Sequence, residues 1–83
     1  MFPTEPLSTW DRATIRAVAV AYQRQRQAGE RDLPARIAAE AVYRELHPDV
    51  PECQASETVA RMIASVASEH GDWFWRGVGE PRR

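Results

Sequence analysis

Between Trp10 and Ala28 the chain carries neither glycine nor proline, and its apolar residues recur with the period of an α-helix. At about 100° per residue, Ile15, Val18 and Tyr22 share one face, extended by Trp10, Thr14, Ala17 and Ala21. Arg12, Arg16, Gln23 and Gln27 fall on the other side. Ser8 or Thr9 suits the N-cap, Asp11 favours the first turn, and Gly29 ends the segment. This predicts a first helix over residues 9–28.

Two further segments open on the same device, Asp-x-Pro. DLPARIAAEAVYREL from Asp32 lies over DVPECQASETVARMI from Asp49 at an offset of 17 residues. A proline in the first turn loses no helical bond, and the aspartate can accept free amides there. In the second copy Glu52 stands three after Asp49, which makes a capping box available. A second helix is expected over 33–47, stopped by Pro48. Its inward stripe is Ala35, Ala39, Val42, Tyr43 and Leu46, with Arg36, Glu40 and Arg44 outside. A third helix begins near Val50. Its stripe of Val59, Met62, Ile63, Val66, Ala67, His70, Trp73, Phe74 and Gly77 spans roughly 140° and keeps phase through Gly71. An interior glycine costs about 1 kcal/mol, and burying two aromatics outweighs that. The pattern therefore predicts a continuous helix over 50–76, closed by Gly77 or Gly79; the alternative is a helix that ends at Gly71, followed by a short aromatic extension.

The expected architecture is an all-α, three-helix, bundle-like single domain without a sheet. It occupies residues 9–77, between a mobile arm of residues 1–8 and a polar tail of residues 78–83. Its core is predicted as Ile15, Val18, Tyr22, Val42, Leu46, Val59, Ile63, Val66 and Trp73. At 83 residues the core is small, about 60% of the unfolded surface is buried, and a partner chain is a common supplement.

Composition narrows the function classes. A formal net charge of −1 gives no bulk attraction to nucleic acid or an acidic membrane. No apolar run approaches the ~20 residues of a membrane span, and the N-terminus has no signal-peptide pattern. The single cysteine, Cys53, fits a reducing cytoplasm. All eleven basic residues are arginine, as expected of a GC-rich bacterial genome.

No catalytic constellation stands out. There is no Gly-rich phosphate loop, no paired carboxylates in an apolar setting and no nucleophile elbow. His70 lies on the apolar stripe without supporting ligands at helical spacing, so it reads as a core-edge histidine and no metal or cofactor is expected. Cys53 reads as a small apolar filler. The predicted role is a non-catalytic interaction module, binding a protein partner or a second copy of itself. Trp75 points away from the stripe, and exposed tryptophan is the residue type favoured at binding hot spots. Trp75, Arg76, Arg12, Arg16 and Val20 are the candidate contact residues.

An alternative comes from a resemblance. Ala39, Glu40, Tyr43 and Leu46, followed by Thr58, Val59, Arg61, Ile63 and Gly71, resemble the helix-turn-helix half of ferric-uptake-regulator-type winged helices. The resemblance implies a DNA-binding regulator that reads the groove with Gln54, Ser56, Glu57, Ala60 and Arg61. That family's metal ligands have no counterparts here. Glu52, Glu57 and Glu69 stand against the one arginine of the implied reading helix.

Overall fold

The computed structural model describes residues 10–78; the expected arm and all of the expected tail but Val78 lie outside them. Four helices follow one another: α1 (Arg12–Gln27), α2 (Asp32–Leu46), α3 (Glu52–Glu69) and α4 (Gly71–Phe74). No strand occurs among the described residues, so the domain is all-α, as the periodicity predicts.

Local chemistry explains the ends. Asp11, not Ser8 or Thr9, caps α1: its carboxylate accepts from the Thr14 amide at 3.1 Å. Gly29 adopts φ 95°, and two bonds close the exit: Gly29 N–H to Arg26 O and Glu30 N–H to Gln25 O, both 3.0 Å. That pairing is the Schellman arrangement, which only glycine enters without strain. The two Asp-x-Pro starts are not equivalent. Asp32 is already helical and Pro34 sits inside the first turn, whereas Pro51 itself caps α3 and Asp49 lies outside it. Neither aspartate makes a side-chain cap, so the expected capping box is not used. Asp32 instead accepts from the Tyr22 hydroxyl at 2.5 Å.

The buried cluster contains Ile15, Val18 and Tyr22 of α1, Ala35, Ala39 and Tyr43 of α2, and Val59, Met62, Ile63 and Val66 of α3. Buried alanines on α2 let it approach α1 closely. Three core expectations fail. Leu46 is the last residue of α2 and is 50% exposed, beyond the buried face that ends at Tyr43. Val42 is only half-buried, since the inward face of α2 is centred on Ala35, Ala39 and Tyr43. Trp73 is 37% exposed, while Phe74 is fully buried.

That exchange follows from a break in the third helix. The chain leaves α-geometry at His70, with φ −132° and ψ 42°, and restarts at Gly71. His70 is exposed at the joint and not on the edge of the core. A straight helix would have kept Trp73 on the stripe. The bend instead seats Phe74 on Tyr22, with the rings 5.2 Å apart and 7° from parallel. Gly77, at φ 75°, closes the turn after α4.

Candidate functional site

The candidate surface lies at the end of the bundle where α1 meets the joint between α3 and α4. Two glutamines one helical turn apart position α4. Gln23 Nε2 donates to the Trp73 carbonyl at 2.6 Å, and Gln27 Nε2 donates to the Arg76 carbonyl at 2.7 Å. Carbonyls at a helix C-terminus lack intrahelical partners, so side-chain amides are natural complements. The expectation that Gln23 faces solvent is corrected: it is buried, because its amide is needed against α4.

A tryptophan stands on either side of the buried Phe74, Trp73 within α4 and Trp75 at its C-cap. Trp75 is 42% exposed yet leans on α1. Its ring meets Phe74 edge-on at 4.8 Å and Tyr22 at 6.3 Å, and the Arg26 guanidinium lies 5.8 Å from its centroid. The last distance fits a cation–π contact. Arg26 Nε is buried and has no hydrogen-bond partner among the described residues. Among the described residues, the Trp75 ring is the complement found for this end of the guanidinium.

Trp73 takes part in a different feature, an open groove of about 700 Å³. Buried Ile15, Ala19 and Val66 form its floor, and half-exposed Trp10 and Trp73 wall it. Arg12 and Arg16, exposed and one turn apart on α1, line one rim. Glu69 and His70 line the other. Neither arginine makes an ion pair within the described residues.

The five candidate contact residues are therefore divided. Arg12 and Arg16 belong to the groove beside Trp73, while Trp75 pairs with Arg26. Arg76 lines an adjoining polar depression with Ser68 and Asp72, which shares Glu69, His70 and Trp73 with the groove. Val20 is half-buried on α1 and does not line the groove. Sequence reasoning missed Trp10 as a wall and Trp73 as an exposed ring. One signal was available: Arg12 and Arg16 border Ile15 and Ala19 on the helical wheel, so an apolar–basic boundary runs along α1.

The residues proposed for DNA lie along α3, where Gln54, Glu57 and Arg61 are exposed and Ser56 and Ala60 half-buried. Arg61 is the sole cation of α3 and pairs with Glu57 at 2.6 Å. Cys53 is exposed, which corrects its reading as a filler. His47, half-buried at the end of α2, lies against Tyr43 with the rings 4.9 Å apart and tilted by 32°, and meets the Thr14 hydroxyl at 3.2 Å. No group of three His, Cys, Asp or Glu side chains converges among the described residues. No helix there is long and apolar enough to cross a membrane. Comparison with protein-family models, with curated proteins and with solved structures finds no match to this chain.

Proposed function

We propose that this chain is a non-catalytic helical module that binds a protein partner through the aromatic and arginine-bearing end of its bundle. The carrying observation is that α4 buries Phe74 completely while Trp73 and Trp75 remain 37% and 42% exposed. A core that needed only bulk would have taken up a tryptophan. Large amphipathic rings beside arginine are the side chains that dominate binding energy at protein interfaces. The nucleic-acid reading draws less support, since the one cation of α3 is engaged by a carboxylate.

The reading is tested with Trp73→Ala and Trp75→Ala variants of the intact chain. Association with a partner or a second copy is followed by light scattering and affinity capture from the source organism. At least one variant is expected to weaken association by tenfold or more, since a hot-spot truncation costs about 2 kcal/mol or more. Helical circular dichroism is expected to persist. If both variants associate like the parent, or helicity is lost in both, the proposal is wrong.

A further inference from the structure

We infer that the groove between α1 and the α3–α4 joint receives an acidic peptide segment of a partner, with a bulky apolar side chain seated between Trp10 and Trp73. The inference rests on the interaction-module reading and specifies its site and ligand. Size comes first. About 700 Å³ accommodates more than one side chain, within the range of sites that enclose small ligands. Surface type comes second. The floor of Ile15, Ala19 and Val66 is aliphatic and the two walls are indole rings, so the seated group is mainly apolar.

Charge then fixes the flank. Arg12 and Arg16 stand at i and i+4, about 6 Å apart along the helix axis. A guanidinium presents a planar fork that matches a carboxylate, and neither fork is occupied by a described carboxylate. Opposite them Glu69 repels acid and His70 is exposed, so the two rims are unlike. An occupant that places Asp or Glu along α1 and apolar groups over the floor satisfies both. Carboxylates one turn apart on an amphipathic helix repeat the arginine spacing, the arrangement of helix-in-groove recognition. A basic segment would meet two like charges on α1 and find a single carboxylate across the groove.

The probe is a random-peptide display library panned on the intact chain. The strongest peptide is then titrated into isotope-labelled protein while the three indole N–H signals are followed. Enrichment of Asp and Glu beside Leu, Phe or Trp is expected, with the Trp10 and Trp73 signals moving more than that of Trp75. In an Arg12→Glu, Arg16→Glu double variant, affinity is expected to fall by about tenfold or more, and raised salt to weaken the parent's binding. The variant's fold is safe, because both positions are exposed and glutamate at Arg12 suits a helix start. Peptides without acidic bias, binding indifferent to the double substitution, or no enrichment would each overturn the inference. Acidic peptides that shift only Trp75 also overturn it, but leave the module reading standing with its site moved to the Trp75–Arg26 face. The association assay on the tryptophan variants judges that broader reading independently.

Discussion

Tyr22 joins the core to the surface through one atom. Its ring is 1% exposed and stacked on Phe74, while its hydroxyl donates to Asp32. Burial, then the bond to Asp32 and that carboxylate's charge, push the phenol up from 10 to about 12, against the weaker pull of Arg26 and Arg36. The raised value stabilises the fold fully below pH 10. As pH rises from 10 to 12 the unfolded chain releases its proton first and that stability is lost, by roughly 2–3 kcal/mol for two units. Tyr22→Phe removes both the bond and the titration. At pH 7 the variant is expected to be about 1 kcal/mol less stable, the net value of a hydrogen bond to a partly solvated acceptor. Near pH 12 the order is expected to reverse. Urea midpoints measured across this range decide it, and parallel pH profiles for the two proteins would show that Tyr22 does not carry the effect.

At the scale of the helix, two glycines that look alike in sequence do opposite work. Gly29 ends α1 at φ 95°, where an added Cβ meets nothing within 4 Å. Gly29→Ala therefore costs backbone strain alone, on the order of 1 kcal/mol. Gly71 opens α4 without a positive φ, and its Cβ would also stand in open space. Gly71→Ala is expected to stabilise by about 0.4–1 kcal/mol, through helix propensity and a less free unfolded chain. Thermal melts should move in opposite directions, by about 4–8 °C per kcal/mol for a domain of this size. A destabilised Gly71→Ala would mean that the joint at His70 needs a freedom that alanine lacks.

Across the whole molecule, α4 is held by its fit to α1. Four residues cannot sustain a helix alone. The stack of Phe74 on Tyr22 and the donations from Gln23 and Gln27 supply what local structure cannot. Gln23→Glu keeps the size, removes the donor and sets a carboxylate against the Trp73 carbonyl. It is expected to cost about 1–3 kcal/mol and to speed amide exchange at Phe74 and Trp75 before that of the α1 core. Exchange accelerating equally throughout would assign the bond to global stability and not to the placement of α4. Because α4 and its C-cap carry the two exposed tryptophans, the same substitution is expected to weaken association at the proposed surface.

The chain's own pattern determined three helical stretches, the turn at Gly29, and the inward phase of Ile15, Val18, Tyr22, Val59, Ile63 and Val66. Each follows from interactions within about four residues, which a helical wheel registers. The wheel also carried α3 straight past Gly71, because it weighs a glycine only against burial along one continuous face. The bend at His70 gains contacts with residues some fifty positions earlier: Tyr22 receives Phe74, and Gln23 reaches Trp73. That gain is invisible until α1 and α4 are placed side by side. The same placement left Trp73 exposed beside Arg12 and Arg16 and set Trp75 against Arg26. Helix formation was thus legible from local periodicity. The candidate surface was decided by tertiary packing, since it depends on which distant groups can satisfy the end of a four-residue helix.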